Sequence, residues 1–375
     1  DGSVCAEPQC TVLSFSGEMI VFNVTSWSNY SVEQGSCNAG MLGDNSSESP
    51  CLITNCDQLQ AMEQDLSGHY ALSSDINCTA SSGWDSGDGF DPVGSSGSPF
   101  SGSFNGRNKT INALTVNRNS EDELGLFGYA SGSSSIRNVN ITNASVIGHQ
   151  YCAVLAGVNY GIVSNSHASG SAYCDDFIGG LIADNYATVS NSTADVNVTG
   201  DASQSITTLG GLIGYNHYAH IYNCSASGDV TGEDYSGGLV GRAIGGNITK
   251  SHASGDVTCE QSCGGLAGST SLSNVTDCYA AGGVVSSSSI VGGLLGTSAT
   301  TNVNRSYASG SVSGDDSVGG LVGQMSSNSA ILDSYASGAV SGDDRIGGLV
   351  GIVAGTGTRV MRSYSTGTVT ASQYA

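Results

Sequence analysis

A block of the form Gly-Gly-Leu-aliphatic-Gly recurs through most of this chain, and no other feature limits its fold so sharply. It reads GGLIG at Gly210, GGLVG at Gly237, GGLAG at Gly264, GGLLG at Gly292, and GGLVG at Gly319 and Gly347. Degenerate copies are GGLIA at Gly179, AVLAG at Ala153 and LGLFG at Leu124. The central leucines are Leu126, Leu155, Leu181, Leu212, Leu239, Leu266, Leu294, Leu321 and Leu349, spaced by 26 to 31 residues. A second block alternates with the first: CSASGDV at Cys224, SHASGDV at Ser251, CYAAGGV at Cys278, SYASGSV at Ser306, SYASGAV at Ser334 and SYSTGTV at Ser363. An Ile or Val precedes each by three residues.

Each unit therefore holds two or three strand-sized pieces between Gly, Asn and Asp, too short for helices and without a 3.6-residue period. One such unit cannot bury its apolar face alone. Stacked copies can, each coil pairing with the next at about 4.8 Å. The predicted fold is all-β: a parallel β-helix (β-solenoid) of about nine coils, roughly 40 Å long on that spacing. Its interior is a ladder of Leu, Val/Ile and Ala, with glycines giving positive φ or close backbone approach at the corners. The crossover rule for parallel strands predicts right-handed coiling. A propeller blade needs four strands in about 40 residues, and a leucine-rich repeat needs Leu-x-x-Leu-x-Leu in fixed phase; neither pattern occurs. Gly is 55 of 375 residues and only 11% are charged, a composition that without this period would read as disorder.

The formal charge of −22 repels phosphate backbones, so nucleic acid is not an expected partner. No apolar run is long enough to span a membrane. Twelve cysteines divide evenly, six before residue 80 and six after, which suits disulfides and an oxidising compartment. The predicted disulfide cysteines are Cys5, Cys10, Cys37, Cys51, Cys56, Cys78, Cys152, Cys174, Cys259 and Cys263, with Cys259–Cys263 across a corner and Cys152–Cys174 between neighbouring coils. Cys224 and Cys278 share a phase but lie two coils apart, about 9.6 Å, too far to bond. Thirteen Asn-x-Ser/Thr sequons, Asn23, Asn29, Asn45, Asn77, Asn108, Asn140, Asn143, Asn191, Asn197, Asn223, Asn247, Asn274 and Asn304, are candidate glycosylation sites of a secreted protein. Asp1, with no Met or basic region ahead of it, reads as the end left by signal removal.

The GGLVG block with its intervening SYASG-x-V resembles the GLUG-motif repeat. The upstream stretches HYALSSDINC, FDPVGSSGSPFSGSFNGRNKTINALTV and LGLFGYASGSSSIRNVNIT resemble the lead-in of proteins carrying that repeat, so the likeness spans roughly residues 52–371. The resemblance implies a β-solenoid in adhesins, other surface or secreted proteins and the non-catalytic parts of some surface peptidases, and it implies no catalysis. The cysteine content and sequon density depart from the family and favour a eukaryotic secretory route.

Three segments follow: a cysteine-rich stretch 1–50 with one strand, Met19 to Val24; a capping helix and lead-in, 51–123; and the repeat solenoid, 124–375. The helix is read in Asn55–Leu66, with Asp57 and Gln60 as a capping box and Leu59, Met62, Leu66 and Glu63 marking its turns. No matching cap follows SYSTGTVT, which suggests that another chain, or more of this one, covers that end. Self-assembly, head to tail or lateral, is the expected partnership, with the N-terminal segment as the docking piece.

Few residues invite chemistry. Acidic pairs precede several leucines, and Asp315, Asp316, Asp343 and Asp344 fall in adjacent coils, where a Ca²⁺ ion could lie between them; a solvated corner is the plainer reading, since the Gly-x-Asp pattern of calcium-binding nonapeptides is absent. Tyr279, Tyr307, Tyr335 and Tyr364 share one phase and should point outward as a surface aromatic ladder, with His252 before them, either stabilising the surface or meeting glycans or a neighbouring subunit. His217 and His220 lack the Glu of a zinc motif. With carboxylates that repeat in phase and no residue set that occurs once, the expected protein is no enzyme. It is an extracellular or cell-surface structural or adhesive glycoprotein that meets glycans or cell surfaces, with a head-to-tail filament subunit as one form of that reading. A glycan-binding module or a polysaccharide-active β-helix enzyme is the alternative.

Overall fold

The computed structural model describes residues 37–201 and 207–372, with the backbone of 10–16 and 19–24. The chain divides into two compact units, Asp1–Ser36 and Cys37–Ala375. In the first, strands Cys10–Ser16 and Met19–Val24 form an antiparallel hairpin, which accounts for the predicted Met19–Val24 strand. Cys5, Asn29 and the side chains of Cys10 and Asn23 lie outside the described residues, as does the proposed docking role of that segment.

The second unit is a parallel β-solenoid. One wall is a twelve-stranded ladder from Cys51–Ile53 to Arg359–Met361. Another has nine strands, from Phe127–Ala130 to Val350–Val353. The remaining strands complete each coil, and long ones such as Asn140–Ala153 and Val257–Gly264 bend around a corner. The nine leucines form a single internal column. Backbone N–H groups run coil to coil from Leu155 through Leu181, Leu212, Leu239, Leu266, Leu294 and Leu321 to Leu349 at 2.8–3.1 Å, and Phe127 beside Leu126 donates to the Leu155 carbonyl at 2.9 Å. The first eight are wholly buried and Leu349 packs on the same core. Each buried Leu contributes about 2 kcal/mol of transfer free energy, the main stabilisation of a coil.

The glycines of this block serve close approach. A Cβ on Gly211, Gly238, Gly265, Gly293 or Gly320 would collide with the carbonyl oxygen of the equivalent glycine one coil on, and none of these residues has positive φ. Positive φ falls instead on a corner occupied by Asn138, Asn165, Asn191, Asn223, Lys250, Asp277, Arg305, Asp333 and Arg362. Asn and Asp tolerate that conformation best, and the long cations are admitted because their neighbours carry opposite charge. Arg305 binds Asp277 through two bonds, 2.7 and 2.9 Å, and Arg362 binds Asp333 through 2.5 and 2.7 Å.

Immediately after this corner comes the Ser or Cys that opens the second block. Ser166, Ser192, Cys224, Ser251, Cys278, Ser306, Ser334 and Ser363 each donate to the carbonyl two residues back. In the Ser251, Ser306, Ser334 and Ser363 coils the hydroxyl also accepts a backbone N–H from the coil before. Cys224 and Cys278 are thus buried free thiols in a hydroxyl column. Burial pushes their ionisation up to about 11 and about 12.

At the start of the stack, helix Cys56–Gln60 continues into a 3-10 turn, Ala61–Gln64. Leu59 and Met62 are buried as predicted, but the cap is Asn55, whose side chain accepts Gln58 N–H at 2.9 Å. Gln58 Oε1 in turn accepts the Thr54 N–H at 2.8 Å. The box assigned to Asp57 and Gln60 therefore sits two residues earlier, because Asn and Asp cap equally well and sequence alone does not choose. Phe100, Phe104 and Phe127 fill the first coils, where Leu columns have not begun.

Candidate functional site

The Tyr ladder stands where the pattern puts it. Tyr279, Tyr307, Tyr335 and Tyr364 pair in register, each beside an Ala or Ser of the next column, of which Ala280, Ala308 and Ala336 are buried. Inward alanines force the rings outward. The rings stack at 5.1, 4.9 and 5.5 Å with planes within 10°, and His252 continues the stack on Tyr279 at 4.5 Å. Burial under its neighbours raises the ionisation of Tyr335.

A second aromatic surface occurs only once along the solenoid, contrary to the expectation that no residue set would. It is built on the buried asparagines Asn159, Asn185 and Asn216. Their amides run coil to coil, Asn159 Nδ2 to Asn185 Oδ1 at 2.8 Å and Asn185 Nδ2 to Asn216 Oδ1 at 2.7 Å. Each also binds a carbonyl of its own turn, Gly161, Ala187 or Ala219. Buried amides so fully paired fix the turn that follows. The next residue in each coil, Tyr160, Tyr186 or His217, is therefore delivered outward in register. Tyr129, Tyr160, Tyr186 and His217 stack at 5.5, 4.2 and 4.3 Å. A parallel row, Tyr151, Phe177 and Tyr215, stacks at 4.9 and 6.1 Å, and Arg242 lies 5.3 Å from both Tyr215 and Tyr235. The recurring Asn-aromatic pair in VNYG, DNYA and YNHY was the signal for it.

Asp184 sits beneath this surface, 6% exposed. Its Oδ1 accepts no hydrogen bond; His217 Nε2, 3.0 Å away, lies off the hydrogen-bonding direction. Burial, and after it the Asp184 charge, raises the hydroxyl ionisation of Tyr186, while burial and the bond with Tyr160 push Tyr129 up to about 12. The Tyr129, Tyr160 and Tyr186 rings, stacked in register, bring their hydroxyls close enough to one another and to Asp184 to raise their ionisation.

Asp316 and Asp344 pair in register in adjacent coils, as expected. Arg345 binds Asp316 and lies 3.8 Å from Asp344, while Asp343 is bonded to Ser372. The guanidinium takes the neutralising place suggested for Ca²⁺, and among the described residues no three His, Cys, Asp or Glu side chains gather as a metal site. His217 belongs to the aromatic stack and His220 Nδ1 accepts Asn247 N–H at 3.2 Å. Disulfides join Cys37–Cys51, Cys56–Cys78, Cys152–Cys174 and Cys259–Cys263, with Cα separations of 5.3–6.2 Å. None of the eleven described sequon asparagines is buried; Asn77, Asn108, Asn143, Asn191, Asn197, Asn223 and Asn274 are exposed and Asn45, Asn140, Asn247 and Asn304 are half-buried. Among the described residues no helix is long and apolar enough to cross a membrane.

Comparison with known proteins returns the GLUG motif at residues 206–231 and 232–258. Halomucin of Haloquadratum walsbyi is 37% identical over 183 residues, 47% of this chain but 2% of that protein. A candidate Gly-rich membrane protein of Evansella cellulosilytica is 32% identical over 141 residues, 36% of this chain and 16% of its own length. This chain therefore matches only a small part of either relative. Among solved structures, a candidate immunoglobulin A1 protease from Bacteroides ovatus aligns over 86% of both chains with 19% identity and a TM-score of 0.42.

Proposed function

A chain that carries the GLUG repeat wound as a parallel β-solenoid is the premise from which we propose an extracellular, surface-associated glycoprotein with a structural or adhesive role and no catalytic one. The observation that carries this reading is the outer surface itself. Four disulfides brace the described coils, a usage suited to an oxidising compartment, and every described sequon asparagine reaches solvent. Three arginines pair coil to coil: Arg305 with Asp277, Arg362 with Asp333, Arg345 with Asp316. The relatives named halomucin and Gly-rich membrane protein agree with a place at the cell surface.

Filament formation is the finer form of this reading. Its support is the geometry of a solenoid, whose coil edge is the template that a second copy would continue. Immunogold labelling of intact source cells with glycopeptide mass spectrometry tests the reading. Surface labelling with occupied sequons supports it, and label confined to the cell interior on unglycosylated protein overturns it. Sedimentation at high concentration with negative-stain microscopy separates filaments from single rods.

A further inference from the structure

We propose that the surface formed by Tyr129, Tyr160, Tyr186, His217, Tyr215 and Tyr218 binds an extended, uncharged polysaccharide laid along the solenoid axis. This rests on the adhesive reading above and supplies its ligand class.

The patch is not needed to stack coils. In the column Tyr129, Val158, Asp184, Tyr215, Arg242, the following coils place Ser269, Thr297 and Gln324 with the same ladder pairing. Aromatic rings gathered in four consecutive coils and then dropped mark a local task. Surfaces rich in Tyr and Arg combine large rigid contact area with polar edges.

The spacing identifies the ligand's shape. The stacked rings advance 4.2–5.5 Å per coil, close to the advance of one sugar residue in an extended hexopyranose chain, and Tyr129, Tyr160 and Tyr186 each carry a hydroxyl on the ring edge. A tyrosine hydroxyl both donates and accepts, as a sugar hydroxyl does. The Tyr129, Tyr160, Tyr186 and His217 rings are already held in one stack by their neighbours and by the paired asparagines beneath, so little ordering remains to be done on binding.

Tyr218 adds a ring face. It is 70% exposed and holds φ +53°, and its ring lies flat on Gly245, where a Cβ would strike the ring carbon Cδ1. One face is thus set on backbone and the other open to solvent, the arrangement that receives the C–H face of a pyranose. Arg242, held between Tyr215 and Tyr235, brings guanidinium donors to the end of the row. Asp184 Oδ1 is the one described buried side-chain polar atom that accepts no hydrogen bond, and His217 Nε2 covers it at 3.0 Å, an ion pair when the imidazole is protonated. A ligand hydroxyl that turns His217 aside supplies the missing donor. A net charge of −22 repels acidic glycans, which leaves neutral ones.

Isothermal titration of the full chain with linear β-linked hexamers of glucose, mannose and N-acetylglucosamine, and with hexagalacturonate, tests this. At least one neutral hexamer should bind and hexagalacturonate should not. The Tyr160→Phe/Tyr186→Phe pair, which keeps both rings, and Tyr218→Ala should each weaken binding by about tenfold or more. Tyr307→Phe, in the other ladder, should leave it unchanged, and equal melting temperatures exclude misfolding as the cause. Silence with all neutral hexamers, equal binding of hexagalacturonate, or unaltered affinity in the Tyr160/Tyr186 and Tyr218 variants overturns the proposal. A surface-labelled protein that binds none of these sugars would sink this site and leave the structural reading standing.

Discussion

Ser306 accepts the backbone N–H of Cys278 at 3.1 Å while its own hydroxyl donates to Asn304 in the turn just before it. One small side chain thereby closes its own turn and ties it to the coil before, at a buried position where water cannot substitute. Ser306→Ala leaves the buried Cys278 N–H without its partner, while the Asn304 carbonyl keeps only the Asp277 N–H, and should cost about 1–3 kcal/mol in chemical denaturation.

The same column explains the two free thiols. A hydroxyl forms the same two bonds more strongly than a thiol, and the site is built for one in neighbouring coils. Cys224→Ser and Cys278→Ser should fold and melt within about 1 kcal/mol of the natural chain, since buried Cys packs as a small residue whose identity is seldom set by packing. With ionisation pushed up to about 11 and about 12 by burial, neither thiol should react with a disulfide reagent at pH 8 until the chain unfolds.

Gly293→Ala places a methyl on the carbonyl oxygen of Gly320 in the next coil. Both atoms belong to hydrogen-bonded backbone, so neither can yield without breaking a rung. The expected loss is about 3 kcal/mol or more, read as a lower denaturation midpoint. Gly283→Ala, whose added carbon would meet nothing nearer than the Asp256 carboxylate at 3.4 Å, should change little.

Glu63 is held protonated by burial and by the nearby Asp91 charge, with Arg118 opposing; its ionisation is pushed up to about 7 from the usual 4.5. Folded chains therefore bind more protons than unfolded ones between those values, and this group's contribution to stability falls as pH rises through them. Glu63→Gln, a permanent neutral mimic, should be the more stable protein at pH 8 by about 1–2 kcal/mol after allowing for solvent screening. The difference should vanish near pH 4.5. Denaturation of both proteins at the two pH values measures it.

What the sequence revealed and what it concealed divide along one line. The leucine column and the Tyr279–Tyr364 ladder were legible because each places one residue type at one phase in successive coils. The surface around Asp184 was not, because its row mixes Tyr129, Val158, Asp184, Tyr215 and Arg242, and its neighbour ends on a histidine. Its foundation, Asn159, Asn185 and Asn216, passed for turn residues, since an Asn between strands ordinarily is one. The acid pairs misled for a related reason. Arg345 reaches Asp316 across 29 residues of sequence, so the partner that neutralises the carboxylate is nowhere near it in the chain. Glycine was credited with positive φ because it usually supplies it, and Gly170, Gly245 and Gly246 do, yet the corner before the second block gives that conformation to Asn, Asp, Lys and Arg.

Near-identical coils carry a hazard during folding, since a strand can zip onto the wrong copy and leave one repeat looped out. The corner occupied by Lys250, Asp277, Arg305, Asp333 and Arg362 makes such skipping detectable to the chain itself. Omit the coil of Asp277 and Lys250 abuts Arg305; omit that of Arg305 and Asp277 meets Asp333. Skipping any one of the Asp277, Arg305 and Asp333 coils sets like charge on like, about 5 Å apart, where the correct thread sets opposites. The alternation works as a parity check, and scrambling it while conserving net charge should slow correct assembly more than it weakens the finished stack.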